Sequence, residues 1–116
     1  SAANIEILLD DLPSKIHPGG ADFLLEVHNN GEGAVCTYPH SKNNYWINYW
    51  FTDTQGDIIE NRDLHIEPLW DILPGKISKS PFRVDTGLPA GKYIFHLAFY
   101  SPNGELVEKT KPIEIE

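Results

Sequence analysis

The chain is written in short runs that alternate apolar and polar residues, broken by turn-forming residues at intervals of roughly ten positions. Asn4 to Leu9 reads as a first strand, closed by Asp10-Asp11-Leu12-Pro13. After the turn His17-Pro18-Gly19-Gly20, a second strand runs from Asp22 to His28, with Phe23, Leu25 and Val27 on one face. Asn29 to Gly33 turns sharply, because Asn and Gly tolerate positive φ. Ala34 to Tyr38 reads as a short strand and Pro39 to Asn44 as polar loop. Tyr45 to Thr52 is the densest run of strand formers. A hairpin loop, Asp53 to Asp57, leads to Ile58-Ile59, and Arg62 to Trp70 is ambiguous because Pro68 weakens a central-strand reading. Lys76 to Val84 follows, aligning Ile77 with Phe82 and Val84 across an irregularity expected at Pro81. Lys92 to Tyr100 is the second strong strand, and Glu105 to Lys109 and Ile113 to Ile115 finish the sheet beyond the turn Ser101 to Gly104. Helical periodicity is nearly absent; one short helical turn fits Leu12 to Ile16.

The two strong strands share one logic. In Tyr45 to Phe51, period-two alternation puts Ile47, Tyr49 and Phe51 on one face and Trp46, Asn48 and Trp50 on the other. In Lys92 to Tyr100, Tyr93, Phe95, Leu97 and Phe99 oppose Ile94, His96, Ala98 and Tyr100. The first set of each strand reads as core and the second as outer face. The pattern as a whole predicts an all-β fold, an immunoglobulin-like antiparallel β-sandwich of about seven to nine strands. The third and sixth strands of such a sandwich are neighbours in one sheet. Trp46, Asn48, Trp50, His96 and Tyr100 then form one surface. A tryptophan ring carries roughly 150–250 Å², so two on a solvent face mark an interaction site or a face covered by something else. The covering candidates are the loop with Leu69 and Trp70, a second subunit or a neighbouring domain.

Size and charge narrow this picture. With 116 residues, the chain is expected to be a single domain over 1–116, excised from a longer polypeptide, since it begins Ser1-Ala2-Ala3 and lacks Met. The net charge of −8 argues against nucleic acid and against an anionic membrane surface. No apolar run approaches the roughly 20 residues of a membrane-spanning helix, so membrane insertion is not expected. Cys36 is the single cysteine, which excludes an intrachain disulfide and leans towards a reducing compartment.

Catalytic and metal chemistry finds little purchase. The five histidines, His17, His28, His40, His65 and His96, show no zinc-ligand spacing. Cys36 reads as a small buried or half-buried residue more readily than as a nucleophile. Asp53 and Asp57 bracket a hairpin that lacks the dense oxygen pattern of a calcium loop. On these grounds no enzyme activity, cofactor or metal is expected. On the aromatic face, Trp46 and Trp50 are suited to stack on sugar rings, with Asn48, His96 and Tyr100 bonding hydroxyls.

The segments Phe23 to Gly31 (FLLEVHNNG), Trp46 to Gly56 (WINYWFTDTQG), Asp71 to Gly75 (DILPG) and Leu88 to Leu97 (LPAGKYIFHL) resemble, in order, a family of bacterial β-sandwich domains. These are the carbohydrate-binding C-terminal domains of O-antigen ABC transporter ATPases (Wzt) and accessory domains of surface-glycan glycosyltransferases and methyltransferases. The chain departs from that pattern in offering only Arg62 where an Arg-Thr stretch is frequent, and in lacking a Trp-Phe close to its end. The resemblance implies a cytoplasmic module of a polysaccharide synthesis or export protein, with an oligo- or polysaccharide as ligand. It also allows a homodimer formed through the C-terminal strand, Pro112 to Glu116. The alternative is a structural interaction or dimerisation domain that positions a neighbouring domain of the parent chain. A protease-inhibitor role would place its contact on the loop from Tyr38 to Asn44.

Overall fold

The computed structural model describes residues 4–36, 44–66 and 71–116, with the backbone alone described for 62–66. Eight strands run in chain order: β1 (Ile5–Leu8), β2 (Lys15–Ile16), β3 (Gly20–Asn29), β4 (Trp46–Thr52), β5 (Ile58–Ile66), β6 (Ile77–Asp85), β7 (Gly91–Tyr100) and β8 (Leu106–Ile115). They form a three-stranded sheet, β1-β3-β6, and a five-stranded sheet, β2-β8-β7-β4-β5. All pairings are antiparallel except β2 with β8, which is parallel. The described residues contain no helix, and none long and apolar enough to cross a membrane.

The core lies between the sheets and is built from the inward residues of each strand. Ile7, Phe23, Leu25, Val27, Phe82 and Val84 come from the smaller sheet; Ile47, Tyr49, Phe51, Phe95, Leu97 and Phe99 come from the larger. Tyr49 lies edge-on to Phe82 across the gap, with ring centroids 5.9 Å apart, and Phe51 and Phe95 meet at 5.5 Å. The Tyr49 hydroxyl is satisfied there: it accepts the Asp85 N–H at 2.9 Å and reaches the Asp85 carbonyl at 3.4 Å. One buried side chain therefore ties the larger sheet to the last residue of β6.

Each turn motif singled out in the sequence has a structural task. Asn29 is 2% exposed; its amide donates to the carbonyls of Gly33 and Ile72, and its oxygen accepts the Gly31 N–H. Asp53 accepts the N–H groups of Gln55 and Asp57, which makes its carboxylate the frame of the hairpin. The Tyr93 hydroxyl donates to the Pro89 carbonyl at 2.7 Å, and a Cβ on Gly91 would come within 3.1 Å of that hydroxyl. The Lys111 ammonium donates to the carbonyls of Leu9 and Leu12 and so fastens the crossover from β1 to β2.

Four sequence expectations need correction. The helical turn fitted to Leu12 to Ile16 is instead a turn followed by β2, held by two pairings with β8. The ladder between β3 and β6 runs unbroken through Leu24–Pro81, so there is no irregularity. β6 pairs only with β3 among the described residues, and an edge strand tolerates proline. Unbroken register also puts Ile77 on the outer face, 58% exposed, away from Phe82 and Val84. The two C-terminal strands are one, since β8 pairs with β7 from Leu106 to Ile115 without a break. Of the short strand expected over Ala34 to Tyr38, Val35 and Cys36 make isolated bridges, and the rest lies outside the described residues.

Two measurements check this frame. Gly20 has φ +136°, and a Cβ there would sit 1.9 Å from the Val84 carbonyl oxygen. We expect Gly20→Ala to cost at least about 3 kcal/mol in urea unfolding, and Gly19→Ala, where space is open, about 1 kcal/mol. On the outer face of the smaller sheet, the hydrogen bond from His28, helped by Lys79, holds Glu26 below its ordinary value of 4.5 against a smaller desolvation effect. A carboxylate lowered in this way stabilises the fold above that ordinary value and ceases to as pH falls through the lowered one. The stability difference between wild type and Glu26→Gln should therefore be present at neutral pH and vanish in acid.

Candidate functional site

Inward burial of Ile47, Tyr49 and Phe51 leaves Trp46, Asn48, Trp50 and Thr52 no alternative to the outer face of the larger sheet. The ladder then decides what they stand beside. Trp46 opposes Tyr100, Asn48 opposes Ala98, Trp50 opposes His96 and Thr52 opposes Ile94. On the far side of β7, Tyr100 opposes Leu106 and Ala98 opposes Glu108. The five residues expected to share a surface do share one: Trp46, Asn48, Trp50, His96 and Tyr100 occupy adjacent strands of one face, and all five are half-buried.

The face has a definite internal order. Trp50 and His96 stack with ring centroids 5.1 Å apart and planes 15° from parallel. His96 spends both ring nitrogens: Nδ1 is 2.6 Å from Glu108 Oε1, and Nε2 is 2.9 Å from Thr52 Oγ1. The three groups come from β8, β7 and β4, and they form a polar tie across three strands beneath the indole. Thr52 is 4% exposed, so its hydroxyl offers no open approach to a substrate.

This arrangement revises the roles expected from the sequence. Both nitrogens of His96 are engaged within the sheet, so neither is free for a sugar hydroxyl. Asn48 Oδ1 is enclosed and has no hydrogen-bond partner among the described residues. Ala98 is fully covered although it lies on the outer face. Leu106, 50% exposed, extends the row of Trp46 and Tyr100 with further apolar surface. Whether the segment with Leu69 and Trp70 overlies this face is a question about residues outside those described, as is the loop contact considered for 38–43.

Sequence reasoning missed Glu108 and Thr52. Thr52 continues the parity of Trp46, Asn48 and Trp50 and was legible as an outer residue. Glu108 was not, because its approach to His96 is a diagonal cross-strand contact that depends on hairpin register. Away from this face, Cys36 is half-buried and unpaired as a thiol, and no cluster among the described residues has the composition of a metal site.

No family model matches the chain, and no curated protein does. Among solved structures, the chain is similar to part of an alkylpurine DNA glycosylase from Pseudomonas fluorescens, AlkC, bound to DNA containing an abasic site analog. The TM-score is 0.62 at 11% identity over 100% of this chain and 31% of that one. The chain thus spans about a third of that protein's length. A superoxide reductase (neelaredoxin) from Ignicoccus hospitalis is similar at TM-score 0.47 and 16% identity, over 99% of this chain and 82% of that one. The expectation that the chain has no enzyme activity is corrected here. The same fold occurs as part of an enzyme, so a β-sandwich of this kind gives no ground for excluding catalysis. At these identities the likeness concerns the fold, and neither protein's substrate passes to this chain.

Proposed function

We propose that this chain is an immunoglobulin-like module that binds neutral glycan on the outer aromatic face of its larger sheet. The observation that carries the reading is the stacked Trp50–His96 pair beside the row Trp46–Tyr100, all on one sheet surface. Sugar rings present apolar C–H faces, and a rigid aromatic surface stabilises them by burial while polar neighbours bond the hydroxyls. Here Trp46 and Trp50 are the stacking surfaces, and the Tyr100 hydroxyl is the polar group next to them. A net charge of −8 disfavours polyanions and leaves neutral sugars unopposed.

Two features support the immunoglobulin-like reading. The strand order places β1, β3 and β6 in one sheet and β8, β7, β4 and β5 in the other, as A, B, E and G, F, C, C′ lie in such domains. The Tyr93–Pro89 hydrogen bond has the form of the tyrosine corner that starts their sixth strand. With the sequence resemblance, this favours a cytoplasmic accessory module of a bacterial polysaccharide synthesis or export protein.

A second reading is docking of a neighbouring domain or a second copy on the same face. The exposed Leu106 beside Tyr100 favours it, since contiguous exposed apolar surface suits a protein partner.

A panel of neutral oligosaccharides, titrated by calorimetry against wild type, Trp46→Ala and Trp50→Ala, separates the two. The glycan reading predicts binding that weakens by about tenfold or more in each variant while unfolding stays cooperative. Wild-type affinity retained in both variants would contradict it. A concentration-dependent dimer lost in the same variants, with no sugar response, would favour the second reading.

A further inference from the structure

Glu108 and Thr52 belong to no motif, yet they account for the orientation of the central aromatic pair. Free imidazole turns about two side-chain torsions and exchanges its proton between two nitrogens. Neither freedom survives at His96. The Glu108 carboxylate accepts only, so the proton of neutral His96 lies on Nδ1, 2.6 Å from Oε1. Nε2 is then an acceptor, and the Thr52 hydroxyl donates to it across 2.9 Å. If the ring gains a second proton, Nε2–H donates to Thr52 Oγ1 instead, because a hydroxyl serves either way. The ring plane is held in both charge states. Of the three described groups that hold or stack on His96, Glu108 from β8 is the charged one; Trp50 and Thr52 from β4 are neutral.

We propose that Glu108 and Thr52 are positioning residues: they clamp His96 in one tautomer and one plane, and His96 in turn sets the plane of the Trp50 indole. The side chain of His96 is only 16% exposed and Thr52 is 4% exposed, so water competes weakly for these bonds. The order carboxylate–imidazole–hydroxyl is also that of a nucleophilic relay. The enclosed hydroxyl directs it towards fixing the ring. A preset indole removes ordering cost from ligand binding, which is where such a clamp gains its effect. The consequence for affinity rests on the glycan reading above; the clamp itself does not.

The test begins with the free protein at mildly alkaline pH. Imidazole nitrogen spectra should show His96 as the Nδ1–H tautomer, with its ring protons displaced upfield by the facing indole. Glu108→Ala should lose both signatures, and Glu108→Gln, whose amide oxygen still accepts, should keep them. Thr52→Val gives a second route should Glu108→Ala fail to fold, and it should loosen the tautomer preference as well. Unchanged tautomer and ring shifts in the folded variants would overturn the proposal. With whichever oligosaccharide from the panel binds wild type, Glu108→Ala should weaken affinity by about tenfold and Glu108→Gln by less than about twofold. Equal affinity in all three would overturn the link from clamp to binding. If no sugar binds wild type, the glycan reading fails, and the free-protein spectra still decide the clamp.

Discussion

The structure turns on one constraint: the larger sheet fills its side of the core with the aromatic side chains of two adjacent strands, and a β-strand has only two faces. Once Tyr49, Phe51 and Phe95 are packed inward at 1% exposure or less, the intervening residues must point out. A one-residue slip of β4 would drive Trp46, Asn48, Trp50 and Thr52 into the core and break the Tyr49–Asp85 hydrogen bonds. The outer aromatic surface is therefore a consequence of how the inner one packs. Its residues are placed with the precision of a ladder, which a surface loop lacks.

That coupling explains why the face is ordered. Trp50 does not stand alone on the sheet; it lies against His96, and His96 is bonded on both sides by groups from the flanking strands. The polar tie crosses three strands of the larger sheet, so its geometry is inherited from the register of β4, β7 and β8. The same logic assigns the turn motifs. Asn29, Asp53, Gly91 and Tyr93 make the hydrogen bonds, or leave the space, that let loops close where the ladders end. Their roles are architectural.

Much of the fold was legible because β4 and β7 alternate cleanly and the turns are rich in Gly, Pro and Asn. The failures share a cause: places where local pattern and tertiary register part company. β5 was left ambiguous beyond Arg62 because Pro68 argued against a strand, and its pairing with β4 shifts register twice, between Ile47 and Tyr49 and between Phe51 and Thr52. β8 was split in two because its charged centre, Glu108 to Lys111, and Pro112 look like a break, although partner β7 holds it throughout. β2 is two residues long and exists only through β8. Ile77 looked like core because hydrophobicity says nothing of parity when a proline intervenes. In the site, the five aromatic and polar residues followed from alternation. The role of His96 did not, because it depends on Glu108, whose approach is a property of the hairpin.

The proposed ligand platform is the outer face of the larger sheet. Its most direct test follows the assigned indole N–H resonances of Trp46 and Trp50 while neutral oligosaccharides are titrated into the isotopically labelled protein. The account predicts saturable shifts at both indoles, together with shifts on β4 and β7 and little change on the smaller sheet. Shifts confined to another surface, or none at either indole for any sugar of the panel, would contradict it.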